Sequence, residues 1–272
     1  MENLNRAALR PVECARLVRL GRPDGDGGYV VPDDAVRSAR YLLSLGLSDE
    51  WSFDEDFLRA NPQAQLIGVD HTVGPLFFVG RFCASLFKLL FYALTFNRRK
   101  LRKWRRRLDA SVRYFSFFRP PHRHIMKRVA ATGGASSVSV DALLALAQPA
   151  GRHDVFLKMD IEGGEYEVIP AVAAGHERIS CIAAEFHDLD REKVRFNEAL
   201  RKLGEHFAVV HVHGNNCKPY DAGIDFPTVI EITLLNKALL EGSSRPRKDR
   251  YPLPGLDAAN NPSKPDYALN FD

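Results

Sequence analysis

Residues 154–165 read DVFLKMDIEGGE, an apolar run that carries Asp160 into a turn built from Ile161, Glu162, Gly163 and Gly164. The run is short, apolar and flanked by turn residues, which reads as a buried strand. An acid at the carboxyl end of such a strand stands where open α/β sheets place ligand chemistry. The stretches on either side repeat the pattern. Residues 41–46 (YLLSLG) lead into Gly46-Leu47-Ser48-Asp49, and residues 65–69 (QLIGV) into Asp70-His71. Residues 180–185 (SCIAAE) end in Glu185 and His187, and residues 207–212 lead through His211 to His213, Asn215 and Asn216.

Between these runs lie helical patterns: one from Ser52, with Ser52 as N-cap and Glu55 completing a capping box, then 141–147, one from Glu165, and 191–203. Further strands are expected at 112–117, 137–140 and 228–234, and short helices and turns over residues 1–40 around DGDGGYVVPDD. Strands alternating with helices mean an α/β fold, a mostly parallel sheet covered on both faces. In such a sheet the polar strand ends share one edge, and the crevice there is the usual ligand site.

The bulk composition agrees with one substantial core: 272 residues, of which 45% are hydrophobic. Four scattered cysteines without a CxxC pair argue for a reducing compartment and against a zinc ribbon or disulfide scaffold. The first twenty residues carry charges throughout and no apolar core, so no secretory signal is expected. A cytoplasmic protein follows, with a peripheral place at the inner face of the membrane as the extension of that reading.

The net charge of +4 conceals an asymmetry. Residues 76–107 hold ten basic side chains (Arg81, Lys88 and eight of the ten residues 98–107) and no acid, so the remainder carries −6. Residues 76–96 approach the length of a membrane span. However, Arg81, Ser85, Lys88, Tyr92 and Thr95 recur at helical spacing as one polar stripe, and strands of a single sheet lie on both sides. The segment 76–108 therefore reads as a helical insert lying on an anionic membrane surface, or as a lid or homodimer contact. Specific nucleic-acid readout is not expected. Residues 243–272 form a Pro-rich extension packing on a domain of residues 1–242, with the insert at about 76–110.

Asp70 stands about twenty residues beyond the first glycine turn, the position from which an acid accepts ribose hydroxyls. The turn SLGLSDEW lacks the further glycines of a pyrophosphate cradle, and its acids would repel phosphates. A cationic nucleoside without phosphates fits better, and S-adenosylmethionine meets that description.

LKMDIEGGEYEVI (residues 157–169) is similar to the Lys-Ile-Asp-x-Glu-Gly-x-Glu block of FkbM-type class I SAM-dependent methyltransferases. GRPDGDGGYVV, LLSLGLSDEWSFDEDF, HVHGNN and PTVIEIT also resemble one branch of such enzymes, so the resemblance covers about residues 20–240 apart from the insert. It implies a Rossmann-like, seven-stranded, mostly parallel sheet with the last strand antiparallel. It further implies SAM held by Gly46, Ser48, Asp49 and Asp70 and by groups near Asp160, including Glu162. The expected reaction is O-methylation of a hydroxyl on a sugar, glycolipid or related small molecule, with a lipid-linked glycan as one acceptor class.

For the proton that such a transfer releases, the candidate catalytic residues are His187 first, then Asp160 and His213, with Glu185 and His211 beside them. Asp160, Glu185, His187 and His213 would equally make a divalent-metal set. That set carries two alternatives, a metal-assisted methyltransferase and a metal-dependent hydrolase. A non-catalytic membrane-surface module is the third.

Overall fold

Side-chain alternation along β-branched and apolar runs decides which face each strand presents, and here it sorts the core into two halves. The structure, a computed structural model, describes residues 3–23, 25–148, 151–240 and 245–271. Seven strands build the central sheet: β1 (Tyr41–Leu45), β2 (Gln65–Val69), β3 (Arg123–Ile125), β4 (Val155–Met159), β5 (Ile179–Phe186), β6 (Phe207–Gly214) and β7 (Ile230–Asn236). Their spatial order is β6-β7-β5-β4-β1-β2-β3. Strands β1 to β5 pair in parallel, while β7 runs antiparallel between β5 and β6. The fold is the Rossmann-like arrangement expected of class I methyltransferases, with its one reversed strand.

Among the described residues a short helix at Asp33–Ser38 and six longer ones flank or extend the sheet: α1 (Ser52–Ala60), α2 (Pro75–Leu94), α3 (Arg98–Phe117), α4 (Val140–Ala147), α5 (Glu165–Ala174) and α6 (Leu189–Leu203). Leu43, Leu45, Leu157 and Met159 pack with Leu143 of α4, Val168 of α5 and Phe196 of α6. Leu42, Leu66 and Phe156 point the other way, onto Phe53 and Phe57 of α1. The chain leaves β1 towards β2 and β3, then returns to β4 on the opposite side of β1. That reversal is the topological switch point, and the crevice outside it positions the site.

Four local expectations are corrected. Residues 112–117 are the last turns of α3, not a strand; Ala110, Tyr114 and Phe117 recur at helical spacing and pack on Trp51. The third strand is the short Arg123–Ile125. Residues 137–138 pair with 128–129 outside the main sheet. The expected helices and turns before residue 40 include a strand pair, Leu17–Leu20 with Tyr29–Pro32. Gly21, at φ +89°, lets the chain double back there, where a Cβ would lie 2.3 Å from the Gly27 carbonyl oxygen. Finally, Ser52 does not form a capping box, because the Glu55 carboxylate is taken by Trp51 Nε1 (3.2 Å) and Arg113 (2.5 Å and 2.6 Å).

Residues 245–271 pack on the rest of the chain. Bridge Val12↔Pro246 ties them there, bridge Tyr251↔Leu269 closes them on themselves, and Tyr251, Leu253 and Phe271 are buried in the core. The expected boundary at residues 242–243 lies outside the described residues.

Candidate active site

The first turn is shaped by two neighbours. Gly46 adopts φ +83°, and an added Cβ would lie 1.7 Å from the Asp160 carbonyl oxygen, so only glycine lets β1 and β4 end side by side. Asp70 then fixes the loop: Oδ2 accepts from the backbone N–H of Leu47 (3.0 Å) and Ser48 (2.7 Å), and Oδ1 from Thr72 N–H and Oγ1 (both 2.6 Å). Burial alone would raise the Asp70 carboxyl, but these hydrogen bonds outweigh it and hold the pKa below the usual value. The carboxylate thus lines the cleft where it was expected, with its acceptor capacity engaged by the loop.

Asp49, expected to face a cation, is ion-paired with Arg81 of α2. The insert also packs Phe78, Ala110 and Tyr114 with Leu47 and Trp51. Tyr114 Oη lies 2.7 Å from His124 Nδ1, whose Nε2 is 3.1 Å from the Asp70 carbonyl oxygen. Both insert helices therefore grip the first two strand ends.

At β4, Lys158 is buried on the α1 side of the sheet and donates to the Gly46 carbonyl (2.9 Å). Asp160 follows it at the rim. Burial raises the Asp160 carboxyl, with Lys158 and His187 pulling the other way. Beyond it the turn passes through Glu162 (φ +51°) and Gly163 (φ +93°). Glu165, fully buried, accepts from Ile161 N–H (3.1 Å) and lies 3.1 Å from His187 Nδ1. Burial pushes the His187 imidazole down, but the hydrogen bond and charge of Glu165, with Asp160 and Glu162, leave its pKa above the ordinary value. Ligand atoms of Asp160, Glu185 and His187 all lie within 4.8 Å of one another.

Glu185 is buried, accepts from Asn215 Nδ2 (2.7 Å), and is pushed well up by burial and by the nearby charges of Asp160, Glu231 and Asp26. Asn260 of the C-terminal extension donates to both Asp26 (2.8 Å) and Glu231 (2.6 Å). His213 is placed apart from the cleft: Nδ1 lies 3.2 Å from Glu231 and Nε2 2.9 Å from Asp266 of the extension. His211 Nε2 lies 3.1 Å and 3.2 Å from the two oxygens of Asp257. Both histidines thus bind the tail.

Burial lowers the His213 pKa, but hydrogen bonds to Asp266 and Glu231 dominate and raise it to about 10. A raised folded pKa means stability that is complete below the unfolded value of 6.5 and lost as pH climbs through about 10. Urea unfolding should therefore show this contribution falling from neutral pH to pH about 10, with His213→Gln flattening the slope.

The cleft at the β1/β4 switch has a volume of about 770 Å³, and seven acidic side chains against four lysines or arginines line it. Gly46, Ser48, Asp49, Asp70, Asp160 and Glu162 all reach it. His187 lines an adjoining cavity of about 200 Å³ that shares Glu162 with the cleft. Among the groups sequence reasoning missed, Lys158 was signalled by a charge inside a buried strand. Arg81 and Asp26 fall in stretches the sequence marks for other reasons, whereas Asp257 and Asp266 come from the extension with no local signal.

No family model matches the sequence, and comparison with curated proteins finds no match. Among solved structures, similarity is found to the fibrillarin pre-rRNA processing protein of Methanococcus jannaschii, with TM-score 0.39, 10% identity, and 75% of this chain and 69% of that one covered. It is also found to precorrin-6y C5,15-methyltransferase of Geobacter metallireducens GS-15 (TM-score 0.32, 12% identity, 75% and 86% covered). A third is an S-adenosylmethionine-dependent methyltransferase of Mesorhizobium loti (TM-score 0.33, 12% identity, 74% and 93% covered).

Proposed function

We propose that this chain is a SAM-dependent methyltransferase acting on a hydroxyl of a sugar, glycolipid or related small molecule. The observation that carries the reading is the acid-lined cleft at the β1/β4 switch point. Its volume suits a nucleoside-sized ligand. Its excess of carboxylates suits a cation, and its turn contains no phosphate cradle. When bound, S-adenosylmethionine supplies an electrophilic methyl group. Ser48 and the Asp160–Gly164 turn would hold it, with Lys158 fixing the Gly46 carbonyl beneath.

The acceptor hydroxyl would enter the adjoining cavity, where His187 Nε2 would take the proton released as the methyl passes from the sulfonium sulfur to oxygen. Glu165 accepts from Nδ1–H, which keeps Nε2 free for that role and stabilises the imidazolium that results. His213 is assigned to holding the tail. A divalent cation on Asp160, Glu185 and His187, binding an acceptor diol, would be a separate reading, because it would take the His187 Nε2 that otherwise serves as base. A hydrolase would need the His211/His213 pair, which the tail carboxylates occupy.

Calorimetry tests this reading. SAM should bind saturably, and more tightly than S-adenosylhomocysteine, because only SAM carries the sulfonium charge. Absence of binding by both would overturn it. Repeating the titration with magnesium or zinc present measures the cation's part.

A further inference from the structure

The geometry points to the α2–α3 hairpin as a docking surface for an anionic lipid bilayer. The hairpin is built inside out. Its polar stripe faces inward: Ser85 is buried, and Arg81, Lys88 and Tyr92 are half-buried. The opposite face of α2 is apolar and bare, with Val79, Leu86, Leu90 and Leu94 recurring at helical spacing and Phe96 at the tip 89% exposed. This helix has 20 residues and mean hydropathy 1.6, with only 11% of its apolar window buried. A face of this size left to water marks a surface awaiting a partner.

Charge selects the occupant. A turn at residues 95–97 folds α3 back along α2, and seven of its cations (Arg98, Arg99, Lys100, Arg102, Lys103, Arg105 and Arg106) are exposed. No acid occurs between Asp70 and Asp109. A second copy seated on α2 would bring two such fields together, so self-association is opposed by like charge. A negatively charged bilayer answers both features, taking the apolar face among its acyl chains and the cations among its headgroups. Spanning is ruled out by construction, because α3 would carry its arginines through the hydrocarbon alongside α2. The hairpin therefore lies in the interface. Arg102 and Arg106 of α3 line a second cavity of about 620 Å³ that shares Asp49 and Glu50 with the main cleft, so an amphiphile held at the headgroup level is close to it.

The test uses the full chain and vesicle flotation, and it is independent of the methyl-transfer reading. Partition onto vesicles of phosphatidylcholine with one-third phosphatidylglycerol should exceed that onto pure phosphatidylcholine by about tenfold or more, and fall with salt. Replacing Arg98, Arg99, Arg102 and Arg105 by glutamine should abolish that difference. Leu90→Ser with Leu94→Ser should weaken binding to both vesicles, with the thermal midpoint unchanged because these side chains are exposed. Equal partition onto both vesicles would overturn the inference. So would a dimer in sedimentation velocity that Leu90→Ser with Leu94→Ser dissolves, or retention of single-stranded RNA without vesicle binding.

Discussion

Gly46→Ala should destabilise the protein by about 3 kcal/mol or more and remove cofactor binding with it. Two independent penalties meet at this position. The backbone sits at φ +83°, which an L side chain adopts only under strain, and the new methyl would lie 1.7 Å from the Asp160 carbonyl oxygen. Relief requires β1 and β4 to part. Yet the two are locked just there by Asp160 N–H donating to the Leu45 carbonyl (2.8 Å), while Gly46 N–H donating to the Val69 carbonyl (2.9 Å) ties the turn to β2 as well. Chemical denaturation reads the first effect and calorimetric titration with SAM the second. A variant of unchanged stability would show that this edge yields more easily than its geometry implies.

The second large effect is chemical. His187→Gln should lower the methyl-transfer rate by about 10²–10⁴-fold while leaving SAM binding intact, since the imidazole lies in the adjoining cavity. Because a base must be neutral to act, the rate should rise with pH through an apparent pKa above 6.5. Glu165→Gln removes the charge that raises it, so the acid limb should move to lower pH. An NMR titration of the His187 ring gives the same shift without any acceptor. If His187→Gln leaves the pH profile in place, the base is another group.

Much of the scaffold was legible because local physics decided it. Apolar runs such as residues 155–159 have one stable use in a chain of this composition, and the acids after them could only fall at the sheet edge. What failed locally was decided by distant partners. Residues 112–117 satisfy β-propensity on their own, but Trp51 offers their aromatics a helical docking face. Glu55 has the spacing of a capping box and is instead claimed by Arg113, fifty-eight positions away. The site divides in the same way. Gly46, Ser48, Asp49, Asp70, Asp160 and Glu162 converge as strand order requires, whereas the fate of His213 depended on Asp266, which no local pattern links to it.

The stitching of the C-terminal extension also has a temporal meaning. Asp257, Asn260 and Asp266 complete the polar bonds of His211, Glu231 and His213, three side chains buried inside β6 and β7. On the ribosome these residues emerge after both strands. Until they emerge, His211 lacks Asp257, Glu231 lacks the amide of Asn260, and His213 keeps only its bond to Glu231. A chain cut short near residue 250 would carry the whole sheet yet lack the layer that seals these groups.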